Sequence, residues 1–121
     1  MKTKTVYIIE QDRITSLDLK MKLENAGYNA IYIDSFINND EKKYIPDMVI
    51  AYSDIRQMPG FETIRKEFIE NKTPIICIGT KTDFETQEVC KELNIVEMFM
   101  KPFNSGDLIT FTDTYFVPAK T

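Results

Sequence analysis

Apolar runs alternate with amphipathic stretches along most of the chain, and this alternation predicts strands and helices in turn. Five of the runs have little polar interruption, which is typical of strands covered on both faces of a parallel sheet. They lie at residues 5–9, 30–33, 48–52, 75–78 and 95–100. Strands that alternate with helices predict a doubly wound α/β domain with right-handed crossovers.

Apolar residues spaced three and four apart predict the helices between these strands. The first helix covers residues 12–26 and stops at Gly27, since glycine is a common C-terminal signal. A later helix covers residues 61–71, and another begins at Thr82 or Asp83. Their predicted inward positions are Phe61, Ile64, Phe68, Val89 and Leu93. Residues 38–43 are assigned a brief helix and loop.

The first helix carries two apolar stripes on nearly opposite sides. The stripes are Leu19, Leu23 and Ala26 on one side, and Ile14, Leu17 and Met21 on the other. One stripe is expected to face the sheet, and the other needs a cover. We expect the final segment, with Phe111, Tyr115 and Phe116, to provide that cover, because the first and last helices are neighbours in such a fold. An exposed contact surface is the alternative.

The segment after residue 103 has two interpretations. Asn104 or Ser105 is a suitable cap for a final helix. Residues 109–112 (ITFT) instead alternate apolar residues with threonine, which is a strand habit. We favour the helix, because the strand-helix alternation requires one, and an extended tail is the alternative. Residues 117–121 are taken as the start of a linker or tail.

Composition narrows the class of protein. The 121 residues suffice for one domain, 1–121, with a core of ordinary size. A net charge of −4 argues against nucleic-acid binding, since no basic face is available for phosphates. No apolar run approaches the ~18 residues of a membrane span, and the N-terminus lacks the apolar core of a signal peptide. A cytoplasmic location is therefore the expectation.

Two further features of the composition concern reactive groups. The chain has no histidine, which removes the commonest general base and metal ligand. Cys77 lies in an apolar run and Cys90 in an amphipathic stretch. We expect both to be packed thiols, because an unpaired cysteine behaves as a small buried hydrophobe.

Polar residues follow the predicted strands at their carboxyl ends, where the ligand sites of parallel sheets lie. They are Glu10 and Gln11, Tyr52 to Asp54, Gly79 and Thr80, and Lys101. Glu10 with Asp54 or Asp12 is a candidate Mg²⁺ site, because this ion prefers oxygen ligands, although acids at strand ends are often only solvated. Lys101 precedes a proline, which favours extended backbone, and its ammonium is able to pair with an acid or grip a phosphoryl oxygen.

The order of these features resembles the receiver domain of bacterial two-component response regulators. The resemblance rests on Pro46-Asp47 before the third strand, Gly60 eight residues past its end, Gly79-Thr80 after the fourth strand, and the KPF element at residues 101–103. It implies a CheY-like, flavodoxin-like sheet with strand order 2-1-3-4-5. It also implies Mg²⁺-assisted transfer of a phosphoryl group from a histidine kinase to an aspartate at the end of the third strand.

Several positions depart from the pattern that the resemblance implies. Glu10 keeps the first acid of the metal site, but Gln11 replaces the second. Tyr52 stands at the acceptor position, and a phenol is neutral at pH 7 and cannot accept an acyl phosphate. Because two formal charges are lost, we expect Mg²⁺ to bind weakly and no cofactor to be required. The other implied positions are Lys101, which keeps the phosphoryl-binding lysine, Gly79 in place of a hydroxyl, Met98 in place of the switch aromatic, and Arg56 in place of a proline.

We therefore expect a pseudo-receiver, a non-enzymatic signalling module that contacts a histidine kinase, a downstream effector or a second copy of itself, and neither nucleic acid nor membrane. The alternative is a Mg²⁺-dependent phosphoacceptor that uses Asp54, if the third strand is two residues longer than Tyr52. That shift leaves Gly60 only six residues past the acceptor. A small flavodoxin-like nucleotide or cofactor binder is the second alternative, but residues 10–13 lack the glycines or hydroxyls that cradle phosphate.

Overall fold

Strands and helices alternate through the chain, as the sequence predicts. A computed structural model describes residues 3–10, 12–34, 45–79 and 83–117. The strands are β1 Thr5–Ile9, β2 Asn29–Tyr32, β3 Met48–Tyr52, β4 Ile75–Ile78 and β5 Ile95–Phe99. The helices are α1 Arg13–Asn25, α2 Phe61–Glu70, α3 Phe84–Glu92 and α4 Ser105–Phe116, and a 3-10 helix, Ser53–Gln57, follows β3.

All strand pairings in the described sheet are parallel, and the order is β2-β1-β3-β4-β5. The predicted fold class and strand order are therefore confirmed. The brief helix and loop predicted at residues 38–43, and residues 118–121 of the predicted tail, lie outside the described residues. In the described ranges, no helix combines the length and apolar character that a bilayer crossing requires.

The helices cover both faces of the sheet, because the side chains of each strand alternate between the faces. Ile8 of β1 packs in a cluster with Leu19 of α1 and Leu108 of α4. Its neighbour Tyr7 belongs to the opposite cluster, with residues of α2 and α3 such as Val89. Helices α1 and α4 thus lie on one face, and α2 and α3 lie on the other.

Helix α4 forms although its threonines alternate with apolar residues. Asn104 caps its first turn by accepting a hydrogen bond from the backbone N–H of Gly106. Leu108 and Thr112, one turn apart, are both buried, and the Thr112 hydroxyl donates to the Leu108 carbonyl at 2.9 Å. Burial on a helical period outweighs the poor helix propensity of threonine. The favoured interpretation of the final segment is confirmed, and the extended tail is wrong.

The outward stripe of α1 is exposed. Ile14, Leu17 and Met21 are 79%, 57% and 55% exposed, so the expected cover by the final segment is wrong. Helix α4 lies along the flank of α1, where the Lys22 ammonium donates to a serine hydroxyl of α4. At about 100° per residue, the stripe lies on the far side of α1 from the buried Leu19, where α4 does not reach it.

The aromatic residues of α4 pack elsewhere. Phe111 and Phe116 lie against the core cluster that β1 and α1 share. Phe116 also contacts Tyr28, with ring centroids 5.8 Å apart. The α4 aromatics therefore anchor this helix to the sheet and to the residues before β2.

Two smaller predictions about burial are also corrected. Ala26 does not join the inward stripe, because it caps α1 beyond the last helical turn and is exposed. Cys77 is a buried thiol as predicted, and burial raises its pKa to about 12. Cys90 is exposed on the outer side of α3, so the prediction that it is packed is wrong.

Candidate functional site

The carboxyl ends of the central strands bring the predicted site residues together. Glu10 directly follows β1, and Tyr52 is the last residue of β3. Register pairs Ile9 with Ala51, so the next residues along the two strands, Glu10 and Tyr52, are neighbours. Lys101 follows β5 by two positions, and its side chain crosses back to the same place.

Glu10 and Lys101 form an ion pair that is closed to water on the acid's side. The Lys101 ammonium donates to Oε1 of Glu10 at 3.0 Å, and the backbone N–H of Asp12 donates to the same oxygen at 3.1 Å. The Glu10 side chain is fully buried, whereas that of Lys101 is 39% exposed. Oε2 of Glu10 is buried and has no hydrogen-bond partner among the described residues. A buried carboxylate needs a counter-charge, so the fold itself requires Lys101 to stay beside Glu10.

Tyr52 gives Lys101 a second contact. The ammonium lies 4.7 Å from the centroid of the Tyr52 ring, which is cation–π geometry. The lysine is thus held between a carboxylate and an aromatic face, both supplied by the neighbouring strand ends. All three residues are expected here from the sequence, but the ring contact is not, because nothing in the spacing of residues 52 and 101 indicates it.

Asp54 does not lie on the strand. Strand β3 ends at Tyr52, and Asp54 falls inside the 3-10 helix with φ −89° and ψ 20°. The two-residue extension of β3 on which the Asp54 alternative depends is therefore wrong. Asp54 does share a cleft of about 250 Å³ with Glu10 and Tyr52, and Tyr32 and Asp34 also line it.

The end of β4 is crowded. A Cβ added at Gly79 would lie 2.4 Å from Oγ1 of Thr86 on α3, and 3.0 Å from Cβ of Ser53. Thr86 is fully buried, and Ser53 is nearly so. Ser53 belongs to the strand-end residues that the sequence predicts, but Thr86 was not predicted, because only the docking of α3 brings position 86 beside position 79.

The same architecture occurs in solved receiver domains. The receiver domain of the TMAO respiratory system response regulator TorR superposes with a TM-score of 0.74 at 16% identity, covering 93% of this chain and 96% of that one. The chain has the receiver fold. Chemotaxis protein CheY4 of Vibrio cholerae gives a TM-score of 0.71 at 20% identity, covering 93% of this chain and 98% of that one.

A third structure with the receiver fold carries a metal. It is the receiver domain of the sensor histidine kinase PA1611 from Pseudomonas aeruginosa, with a magnesium ion coordinated in its active site cleft. Its TM-score is 0.70 at 15% identity, covering 94% of this chain and 98% of that one. No protein-family model matches the sequence, and no curated protein matches it either.

The described side chains at the carboxyl ends of β1, β3 and β5 do not fit a magnesium ion well. Mg²⁺ takes oxygen ligands, preferably carboxylates. The charge of Glu10 is already balanced by Lys101. Tyr52 places a phenol ring where the resemblance implies a second carboxylate. Within the described residues, no three acidic, cysteine or histidine side chains cluster as metal ligands. Gln11, which the resemblance places at this site, and Thr80, which follows the predicted fourth strand, lie outside the described residues.

Charged groups near the carboxyl ends of the strands are held by local contacts. The Thr15 hydroxyl donates to the Asp12 carboxylate and holds the pKa of Asp12 below its ordinary value, and the charge of Lys101 acts in the same direction. Arg56, on the 3-10 helix, pairs with Glu85 of α3. Met98 is half-buried on β5, where it pairs in register with Cys77.

Proposed function

We propose that this chain is a signalling module with the receiver fold that acts through protein contacts and does not accept a phosphoryl group. The observation that carries the proposal is the placement of Lys101. Its ammonium lies 3.0 Å from Glu10 and 4.7 Å from the Tyr52 ring centroid. The residue that the resemblance assigns to an incoming phosphoryl group is thus engaged by the protein itself.

The chemistry of the strand end supports the same conclusion. Acyl-phosphate formation needs a carboxylate at the acceptor position, and a tyrosine ring occupies the end of β3. A phosphoryl group drawn to Lys101 would have to compete with a fully buried carboxylate, which is left without a counter-charge when the lysine moves. We expect Mg²⁺ to bind weakly for the same reason, since the positive Lys101 repels it.

The exposed stripe of α1 supports contact with another protein. Isolated exposed apolar residues are ordinary, but Ile14, Leu17 and Met21 are consecutive positions on one helical face. The resemblance implies a histidine kinase or a downstream effector as the partner, and a second copy of the chain is the simplest alternative. The proposal retains the cytoplasmic location that the sequence predicts.

The experiment that tests the absence of phosphoryl transfer uses a small acyl-phosphate donor. The protein is incubated with the donor and Mg²⁺, and its intact mass is measured. We expect no adduct on the native chain. Tyr52→Asp, which places a carboxylate at the strand end, is the matched comparison, and Asp54→Asn removes the alternative acceptor.

An adduct on the native chain that Asp54→Asn abolishes would contradict the proposal. It would favour the second candidate, a Mg²⁺-dependent phosphoacceptor that uses Asp54. The observation in favour of that candidate is the cleft of about 250 Å³ that Asp54 shares with Glu10 and Tyr52. The end of β3 at Tyr52 argues against it.

The contact surface is tested separately by sedimentation and by partner binding. Replacing Leu17 and Met21 by serine should leave the fold unchanged, because both side chains are exposed. We expect this variant to lose self-association, or binding to a cognate kinase or effector, whichever the native chain displays. Ile69→Ser, an exposed apolar residue of α2 on the opposite face of the sheet, is the matched control and should change neither.

A further inference from the structure

Neighbouring side chains fill the space around the Cα of Gly79, and this narrow space is the Gly79 notch. Glycine is needed there because of the space and not because of the backbone conformation. Gly27 and Gly60 have positive φ angles, but Gly79 does not. Its Cβ position is nevertheless closed, with Thr86 Oγ1 at 2.4 Å and Ser53 Oγ at 3.2 Å. Any side chain at position 79 therefore has to displace Oγ1 of Thr86, either by rotation of the Thr86 side chain or by a shift of the start of α3.

Thr86 is itself held in place. It is fully buried, and both its hydroxyl and its backbone N–H donate to Oδ2 of Asp83, at 3.1 Å and 3.0 Å. Asp83 is the N-cap of α3, so the capping interaction also fixes the side chain that fills the notch. These contacts thereby hold the first turn of α3 in one position against the end of β4.

A charge network fixes the rest of α3. Arg56 of the 3-10 helix lies 3.3 Å from Glu85, in the first turn of α3, and 3.3 Å from Glu92, in its last turn. Arg65 of α2 reaches Glu92 from the other side, at 3.4 Å. The Arg56, Glu85 and Glu92 side chains are less than a third exposed, so solvent screens this network only in part.

We infer that Thr86 and Arg56 lock α3 in one position over the strand ends, and that Gly79 is the residue that permits the lock. The inference concerns the mobility of α3 and does not depend on whether the cleft accepts a phosphoryl group. Thr86 occupies the space that a hydroxyl-bearing side chain at position 79 would need. A serine or threonine at that position alone should therefore cost stability, and a change at position 86 should relieve that cost.

The steric half of the lock is tested by a double-mutant cycle. Gly79→Ser, Thr86→Ala and the double variant are compared with the native chain by urea unfolding. We expect Gly79→Ser to raise the equilibrium constant for unfolding by roughly tenfold or more, because overpacking destabilises the folded state. Thr86→Ala should destabilise the native background but stabilise the Gly79→Ser background, because it empties the space that the serine needs.

The control is Thr112→Ala, which truncates another buried helix threonine on the opposite face of the sheet. Its effect should add to that of Gly79→Ser without rescue. If Gly79→Ser does not fold, Gly79→Ala is the smaller probe of the same contact. Additive effects of the changes at positions 79 and 86, or an unchanged unfolding midpoint in the single serine variant, would overturn the inference.

The electrostatic half is tested by amide hydrogen exchange. Arg56→Ala should speed exchange across α3 by roughly fivefold, as expected for a partly exposed ion-pair network. Lys91→Ala removes an exposed pair with Glu88 on the same helix and should leave the exchange unchanged. Equal effects of the two variants, or none from Arg56→Ala, would refute the lock. These experiments use no phosphoryl donor, so a negative result for the lock would not contradict the proposed function. Conversely, a phosphoryl adduct at Asp54 would not contradict the lock.

Discussion

Replacing Lys101 by methionine tests whether this lysine stabilises the fold by pairing with Glu10. Methionine keeps much of the length of the side chain but removes the charge that Glu10 faces at 3.0 Å. The Glu10 carboxylate is then buried with one backbone N–H donor, that of Asp12, and with Oε2 unpartnered among the described residues. The variant is therefore expected to be less stable than the native chain.

The size of the loss follows from the burial of the two partners. Breaking a fully buried ion pair costs about 3–5 kcal/mol. The Glu10 side chain is fully buried but that of Lys101 is 39% exposed, so solvent screens the pair in part and about 2 kcal/mol is the better figure. For 121 residues, that corresponds to a melting temperature lower by about 8 °C.

Urea unfolding followed by circular dichroism gives the free energy, with an unchanged m value as the sign that only stability has altered. The double variant with Glu10→Gln should recover much of the loss, because no charge remains buried. Lys20→Met, which removes an exposed pair with Glu24, should cost no more than about 0.5 kcal/mol. A Lys101→Met chain as stable as the Lys20→Met control would refute the assignment of Lys101 to the fold.

Three further predictions concern buried polar groups. Thr73→Val should raise stability by about 1 kcal/mol in urea unfolding, because the buried Thr73 hydroxyl has no hydrogen-bond partner among the described residues. The Tyr28 hydroxyl donates to Asp113, and burial together with this bond raises the pKa of Tyr28 above its ordinary value of 10.0. Stability should therefore fall as pH rises past about 10, where the unfolded chain ionises first, and Tyr28→Phe should flatten that loss. In thiol titration of the native protein at pH 8, Cys90 should react at once and Cys77 only after unfolding, since burial raises the pKa of Cys77 to about 12; prompt reaction of both would contradict this burial.

Local pattern was sufficient for most of the fold. The runs at residues 48–52 and 75–78 became β3 and β4 with the predicted bounds, because strands covered on both faces carry apolar side chains at every position. Asn104 correctly predicted the start of α4, where propensity alone was ambiguous. The convergence of Glu10, Tyr52 and Lys101 was also predicted from sequence, since the carboxyl ends of parallel strands lie at the same edge of a sheet.

The failures concern which side of a helix meets a neighbour. Periodicity identified the stripe that contains Ile14 and Leu17, but not that α4 would lie on a different flank of α1. The same limit hid the exposure of Cys90 and the contact between Thr86 and Gly79. Such contacts depend on how elements dock in three dimensions, and a period within one helix carries no information on docking.

The pairing of Glu10 with Lys101 joins positions 91 residues apart in the sequence. During synthesis on the ribosome, the first strand emerges long before the lysine that neutralises its carboxylate. Until then, burial of this carboxylate would leave its charge unpaired. A nascent chain that stops short of β5 is therefore expected to keep the strand ends open to water. Final closure of the sheet is thereby tied to the arrival of a lysine 91 residues downstream of Glu10.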